Sequence, residues 1–417
     1  MSMLLGRPLK AVVLAVAAVL CAAPARASQT GTAAPSYEVL ASRLSDMPAS
    51  LEASALSDAA EARAYQARAL PNPSIGIEAE NIYGSGPYRG TGNGETTFSV
   101  SQPLELFGQR SARVRAARAE ADAIGLRSEQ MRWEAAGRLA LVYAQAEASE
   151  RRYDLAAEAL ALTEQDARAV SLLVDAGREA ALRGVQAASE AEAARAALDE
   201  AKAVREAAFA RLSAIAMIEP VDRIEDSLLD RSLEPHGRHT EATLSERIAQ
   251  AELETATRNI TVEQRRARPD LTASFGQRRM RESGETSYTV GLSLTVPLFD
   301  RNRGGIRAAY ADQRAAEARL ETQRQEVQAD RLAAEAMLSA SATRARAADD
   351  GVRAAEEAYR LARLGFDSGR ISQLELRSTR AALVGARNSA LDARFARVSA
   401  EIELASLESR APFGEAQ

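Results

Sequence analysis

His236 and His239 form the single His-x-x-His pair in a chain of 417 residues that has only two histidines and one cysteine. Two imidazoles at this spacing can bind zinc, but a zinc site takes further ligands, and this chain has almost none to offer. The pair also lies beside Pro235 and Gly237, in a segment that interrupts regular structure. We therefore interpret it as part of a surface connector and predict no metal site.

The sequence lacks the motifs of the common enzyme classes. It has no Gly-x-x-x-x-Gly-Lys-Ser/Thr loop, and Gly84-Ser85-Gly86 and Gly90-Thr91-Gly92 lie between two predicted strands, not between a strand and a helix. No nucleophile is found beside a candidate base. Lys and Arg number 53 against 58 Asp and Glu, a net charge of −5, which argues against a nucleic-acid-binding protein. The sequence therefore predicts neither catalysis nor a cofactor.

Glu78 and Glu80 are carboxylates whose spacing suggests a function. They alternate with Ile75, Ile77 and Ala79, so in a β-strand both glutamates project from one face and the apolar side chains from the other. If that strand belongs to a closed barrel, the polar face lines the lumen, where carboxylates favour the passage of cations. Ordinary solvation of a lumen explains the same pattern equally well.

Alternation with a period of two marks two β-hairpins, at about 73–106 and about 269–299. In the second, Tyr288, Leu292 and Val296 are among the apolar residues that alternate with polar and small ones. Such strands fit a membrane barrel, or small half-buried sheets of a soluble protein. Four strands cannot close a barrel, since the smallest membrane barrels have about eight. Membrane insertion would therefore require several chains to share one barrel; three chains give twelve strands, although this arithmetic fixes neither number.

The positions of the prolines predict two pairs of long helices. No proline lies between Pro103 and Pro220 or between Pro297 and Pro412, and both runs are rich in alanine. A helix from about residue 108 to 174 would be roughly 100 Å long. Each pair turns at an Asp-x-Gly sequence, near 175–180 and near 367–372, where glycine permits the left-handed conformation that ends a helix.

Both halves of the chain carry these landmarks in the same order, so the sequence contains an internal repeat. We predict a first repeat at 28–216, a connector at 217–240 and a second repeat at 241–417, each repeat consisting of a helix, two strands and a long helical hairpin. Residues 1–27 are interpreted as a cleaved signal peptide. Arg7 and Lys10 precede a short apolar core there, and Ala25-Arg26-Ala27 fits a cleavage site.

The two halves carry Ser101-Gln102-Pro103-Leu104-Glu105 and Val296-Pro297-Leu298-Phe299-Asp300-Arg301-Asn302, together with segments at 72–73, 78–81, 95–97, 108–110, 268–271 and 290–294. In their ordered duplication these segments resemble those of the outer membrane efflux proteins, the TolC-like exit ducts of tripartite export systems. Within the family, the chain is most similar to the CzcC-like components of heavy-metal efflux. The resemblance implies a mainly α-helical homotrimer in the outer membrane, with four strands per chain in a twelve-stranded barrel and long helical hairpins forming a periplasmic tunnel.

The same resemblance implies partners and a class of substrate. Ducts of this family receive their substrate from an inner-membrane pump, here of the RND type, through a periplasmic adaptor protein. Heavy-metal cations are the substrate that the CzcC-like branch implies, while multidrug efflux and type I protein secretion are alternatives. A coiled-coil scaffold, or the adaptor itself, is a further alternative, although an adaptor has one helical hairpin and this chain has two.

By the resemblance, the two helical turns form the periplasmic tip, where the adaptor docks and the channel closes. The tip residues are then Asp175, Gly177, Arg178, Asp367, Gly369 and Arg370. The resemblance also places an acidic ring six residues after the turn glycine, at Glu375 in the second half, whereas the first half has Arg183 there. The alternatives are that the glycines only end their helices and that Glu375 is a solvated surface charge.

Overall fold

The structure is a computed structural model and describes residues 32–231 and 242–413. The predicted signal peptide and the pair formed by His236 and His239 lie outside the described residues. In chain order the elements are β1 (Ala33–Ala34), α1 (Tyr37–Ser42), α2 (Pro48–Gln66), β2 (Ser74–Glu80), β3 (Glu95–Leu104), α3 (Gln109–Asp175), α4 (Ala181–Ala216), β4 (Arg223–Ile224), α5 (Leu244–Arg266), β5 (Asp270–Met280), β6 (Thr286–Thr295), α6 (Arg303–Asp367) and α7 (Gln373–Leu407).

Two helical hairpins, α3–α4 and α6–α7, form most of the molecule, as the sequence predicted. Helix α3 alone has 67 residues and is about 100 Å long at 1.5 Å per residue. All four helices lack proline, and the packed face of α3 is mostly alanine, as at Ala112, Ala116, Ala119 and Ala123. Small side chains let the helix axes approach closely, so packing stabilises α3 along its length. None of the described helices combines the length and the apolar character that crossing a bilayer requires.

The four longer strands form one antiparallel sheet in the order β2-β3-β5-β6. A row of direct neighbours on its apolar face consists of Ile75, Val100, Phe275 and Val290. The next row, on the opposite face, consists of Gly76, Ser99, Gly276 and Thr289. The alternation predicted from the sequence is therefore present across the whole sheet, and β2 and β6 are its free edges.

A small layer packs against the middle of the long helices. It contains β1, which pairs in parallel with β4, together with α1 and residues 409–413. Tyr37 and Leu40 of α1 are almost fully buried, and the Tyr37 hydroxyl donates a hydrogen bond to the Pro412 carbonyl at 3.1 Å. From the sequence, α1 was predicted as part of the leading helix of the first repeat and β4 as part of the connector, and the β1–β4 pair was not predicted.

Glu147 on α3 holds the connector against this layer. Its carboxylate is buried and accepts hydrogen bonds from the backbone N–H groups of Leu228, at 2.8 Å, and Leu229, at 3.1 Å. Arg151 pairs with the Glu147 carboxylate at 2.7 Å. Arg151 also hydrogen-bonds the Asp230 carboxylate, and this bond holds the pKa of Asp230 below its ordinary value. A buried carboxylate is stable only with such partners, so this cluster fixes where the first repeat passes into the second.

Candidate functional site

Both helical turns have the same backbone geometry. Gly177 and Gly369 each have a φ of 70°, a left-handed conformation that glycine adopts without strain. The N–H of Gly177 donates to the Val174 carbonyl at 2.9 Å, and the N–H of Arg178 donates to the Leu173 carbonyl at 2.8 Å. The second turn repeats this pair of bonds at 2.9 and 2.8 Å. The pattern is a standard glycine cap of a helix C-terminus, so the turn itself requires both glycines.

The two tips are exposed and carry leucines at equivalent positions. The predicted tip residues Asp175, Gly177, Arg178, Asp367, Gly369 and Arg370 are all exposed. Leu172 and Leu182 flank the first turn and are 71% and 66% exposed; Leu364 and Leu374 flank the second and are 56% and 66% exposed. Both equivalent pairs are 192 residues apart, as are the turn glycines. The sequence analysis missed these leucines, although the same spacing identifies them. Apolar side chains around an exposed turn suit contact with another protein.

Glu375 and Arg183 occupy the third position of α7 and of α4, so the structure makes them equivalent. The backbone N–H of Glu375 donates to the Ser372 hydroxyl at 3.3 Å, which caps the start of α7. A carboxylate in a first helical turn also interacts favourably with the helix dipole. Arg183 has the opposite charge and pairs with Glu179 at 3.3 Å. Glu375 is exposed and has no ion-pair partner among the described residues, so its charge is uncompensated there.

Between the tip and the middle of the molecule, arginines join α7 to the first hairpin. Arg377 forms an ion pair with Glu190 on α4, and Arg380 forms one with Asp166 on α3. Arg380 is only 8% exposed and also donates to the Leu162 carbonyl at 3.3 Å. These contacts connect the two repeats close to the turns, so a separation of the hairpins at this level breaks them.

Two further arginines follow Arg380 along α7 at intervals of seven residues. Arg387 pairs with Glu158 on α3 at 2.7 Å and so also joins the two hairpins, whereas Arg394 pairs with Asp349 on α6 of its own hairpin at 2.8 Å. Seven residues are close to two helical turns, so these arginines and Arg380 share one face of α7. The spacing is visible in the sequence, but the sequence analysis did not use it. The acidic partner of an arginine can be distant along the chain: Glu158 is separated from Arg387 by 229 positions.

On the polar face of the sheet, three carboxylates lie near one arginine. Arg278 on β5 forms ion pairs with Glu80 at 3.0 Å and with Glu95 at 2.9 Å. Glu78 is exposed on the same face and has no ion-pair partner among the described residues. The sequence analysis identified Glu78 and Glu80 but missed the other two, because cross-strand neighbours depend on the register. Three carboxylates and one guanidinium leave this cluster with two net negative charges.

Comparisons with known proteins agree with this architecture. The family model described as outer membrane efflux protein matches residues 40–216 and 247–408. The nickel-cobalt-cadmium resistance protein NccC of Alcaligenes xylosoxydans xylosoxydans is 38% identical over 388 residues, which cover 92% of this chain and 89% of the relative. The nickel and cobalt resistance protein CnrC of Cupriavidus metallidurans is 37% identical over 314 residues, which cover 75% of each chain.

Solved structures share the fold as well. The open state of the outer membrane channel MtrE of Neisseria gonorrhoeae superposes with a TM-score of 0.77, covering 91% of this chain and 90% of that one at 20% identity. The resemblance inferred from the sequence is thus confirmed by a family match along most of the chain and by relatives of similar length. The chain belongs to the outer membrane efflux protein family.

Proposed function

We propose that this protein is the exit duct of a tripartite efflux system and conducts heavy-metal cations passively across the outer membrane. The observation that carries the substrate is the 38% identity, over 92% of the chain, to a protein named for resistance to nickel, cobalt and cadmium. The fold supports the duct, because four amphipathic strands and two long helical hairpins give each chain a share of a barrel and of a tunnel.

Three chains form the duct. The sheet of one chain ends in the free edges β2 and β6, and three sheets joined edge to edge give a closed barrel of twelve strands. The face that carries Val290 then contacts lipid, and the face that carries Arg278 lines the lumen. The helices extend about 100 Å into the periplasm. There the tip meets the adaptor, which links the duct to an RND-type pump, and the pump supplies the energy.

The tip serves as both a docking surface and a gate. Leu172 and Leu182 and their equivalents Leu364 and Leu374 pack against the adaptor around the glycine turns. Opening the tunnel moves the second hairpin away from the first, and the ion pair of Arg380 opposes that movement because it joins α7 to α3. Adaptor binding is then the event that offsets the loss of this contact.

Selectivity for cations arises at two levels of the tunnel. At the tip, Glu375 contributes one carboxylate per chain that has no ion-pair partner in the described part of the chain, so three chains place three of them around a narrow entrance. In the barrel, Glu78, Glu80 and Glu95 lie near one arginine, Arg278, so this cluster adds two net negative charges per chain. Rings of carboxylates attract cations and repel anions, which suits metal export.

The proposed substrate is tested by deleting the gene in the strain that encodes it and restoring it on a plasmid. We expect deletion to lower the inhibitory concentrations of nickel, cobalt and cadmium, and restoration to raise them again. The same strains are tested with dyes and detergents as a control for general damage to the envelope. Sensitivity to dyes and detergents without sensitivity to metals would replace the metal proposal with multidrug efflux, and retention of a secreted polypeptide would replace it with type I secretion.

A further inference from the structure

A cleft of about 500 Å³ lies where β3 passes into α3, beside the end of α2. Four arginines dominate its lining: Arg68, Arg110, Arg115 and Arg118. We call these four residues and the space between them the arginine cleft. All four arginines are exposed. The candidate sites described above do not use this cleft.

The positive charge of the arginine cleft is not compensated by the described part of the chain. Glu105 is the acidic residue in the lining, and both of its oxygens already bond Arg113, at 2.5 and 3.0 Å. Among the described residues, Arg110 donates to the backbone carbonyl of Arg68 alone, at 2.7 Å, and this bond neutralises no charge. Arg127, further along α3, is by contrast paired with an acid, Glu252 on α5. The cleft therefore has the charge and the donors to bind an anion from outside the chain.

Its height places the arginine cleft at the boundary of the membrane. β3 ends at Leu104, and α3 from Gln109 to Arg118 rises only about 14 Å. Leu106 and Phe107, between the strand and the helix, are 67% and 38% exposed, and Leu106 lines the cleft. Apolar side chains next to arginines are typical of protein surfaces at the edge of a bilayer.

The arginine cleft faces the outside of the tunnel wall. Arg118 and Arg132 are 14 residues apart on α3, two heptads, and so lie on the same face of the helix. Arg132 lines a cavity with Tyr37 and Pro412 of the layer that covers the middle of the helices. Twelve helices about 10 Å wide form a ring with an inner diameter of only about 28 Å. Three copies of that layer would block such a tunnel, so the layer, and with it this face of α3, lies outside.

The second crossing from strand to helix has the same chemistry. Leu298 and Phe299 follow β6 and are 63% and 101% exposed. Arg301, Arg303 and Arg307 come next, are exposed, and have no ion-pair partner among the described residues. Exposed apolar residues followed by unpaired arginines therefore occur at both places where a strand leaves the sheet for a long helix.

We propose that the arginine cleft binds the phosphate headgroups of anionic phospholipids in the periplasmic leaflet of the outer membrane. Guanidinium groups bind phosphate oxygens in a bidentate manner, and several of them around one concave site hold a phosphodiester more firmly than a single surface charge does. Leu106 meets the glycerol and the upper acyl chains, while Arg110, Arg115 and Arg118 meet the headgroup. The bound lipids fix the height of the duct in the membrane.

The test uses the full-length trimer, purified in detergent, with Arg110, Arg115 and Arg118 replaced together by Gln. Native mass spectrometry and titration measure binding of dioleoyl phosphatidylglycerol and of the neutral dioleoyl phosphatidylcholine. If each arginine raises the affinity for the anionic lipid about fivefold, the triple variant should bind phosphatidylglycerol about a hundredfold more weakly than the wild type does. Its affinity for phosphatidylcholine should equal that of the wild type. The control replaces Arg344, Arg353 and Arg363, which are exposed on α6 far from the sheet, by Gln; this variant should bind like the wild type.

Three results would overturn the proposal. The first is equal binding of phosphatidylglycerol by the wild type and the cleft variant. The second is competition by inorganic phosphate at the same concentration as the lipid, which would identify a site for free anions. The third is a cleft variant that loses its trimeric state while its protomers keep the lipid affinity, because the arginines would then contact a neighbouring chain. None of these measurements depends on metal export, so they stand apart from the test of the proposed function.

Discussion

The ion pair between Arg380 and Asp166 gives a direct test of the gate. Replacing Arg380 by Met keeps much of the side-chain volume but removes the charge and the hydrogen bond to the Leu162 carbonyl at 3.3 Å. Because α7 and α3 belong to different hairpins, the change weakens the contact between the hairpins and leaves each hairpin intact. We therefore expect Arg380→Met to favour the open tip.

The magnitude follows from burial. The Arg380 side chain is 10% exposed and that of Asp166 is 32% exposed, so the pair is intermediate between a surface and a buried one. Exposed pairs contribute about 0.2–1 kcal/mol, and breaking a buried pair costs about 3–5 kcal/mol. We therefore expect the loss of this ion pair to destabilise the closed state by about 1–2 kcal/mol per chain. Three chains that open together then lose at least about 3 kcal/mol, which shifts the closed-to-open equilibrium by at least about a hundredfold.

The assay is single-channel recording of purified trimers in planar bilayers. The wild type should be mostly closed, and Arg380→Met should raise the open probability and the mean conductance. The matched control is Arg360→Met, because Arg360 is exposed on α6 and pairs with Glu357 of its own helix at 2.7 Å. A trimeric Arg380→Met protein with the conductance and open probability of the wild type would refute the assignment of this pair to the gate.

Three further substitutions test the membrane face of the sheet, the glycine turn at the tip and the acidic ring at Glu375. Leu292→Arg should destabilise the trimer by about 2–4 kcal/mol, because Leu292 lies on the apolar face, whereas Ser293→Arg on the opposite face should be tolerated; thermal dissociation of the trimer measures both. Gly369→Val should abolish export and adaptor capture, since a side chain at a φ of 70° destabilises the turn by at least about 1–2 kcal/mol. It should leave the barrel trimeric, because the turn lies at the end of the helices far from the sheet. Glu375→Gln keeps a residue suited to the helix cap but removes three charges per trimer, so the reversal potential under a salt gradient should show a lower preference for cations.

Matched controls exist for the last two substitutions. Gly351→Val adds the same side chain within α6, where a Cβ atom meets nothing within 4 Å and φ is not positive, so it should leave export unchanged. Glu357→Gln removes the same charge as Glu375→Gln, but from a carboxylate that pairs with Arg360 of its own helix. Export by Gly369→Val at the level of Gly351→Val would argue against the docking role. Equal cation preference in the wild type and Glu375→Gln would leave that carboxylate as a solvated charge.

The fold was predictable because its signals are local. Alternation along Tyr288, Val290 and Leu292 is set by the two-residue period of a strand, and the absence of proline between Pro103 and Pro220 is enough to permit long helices. The glycine turns follow from the same kind of information, since only neighbouring residues form the cap. The β1–β4 pair escaped prediction because its strands have two residues each, too few for any periodicity to show.

The charges of the candidate site were only partly predictable, because their partners are distant in the chain. Glu80 was predicted to share a polar face with Glu78, but its ion pair with Arg278 depends on the pairing of β3 with both β2 and β5. Arg380 meets Asp166 only because the second hairpin packs beside the first. A sequence shows which side of an element a charge occupies, whereas its partner is fixed by the tertiary arrangement.

The free edges of the sheet also bear on how the duct is made. A newly synthesised chain exposes on β2 and β6 two rows of unpaired backbone N–H and C=O groups, and such edges pair with whatever strand they meet. The bilayer interior cannot hydrogen-bond these groups, so a lone chain has no stable place in it. Barrel closure and membrane insertion must therefore occur together. A stable membrane-inserted monomer or dimer is therefore not expected, and biogenesis of the duct requires the association of three chains.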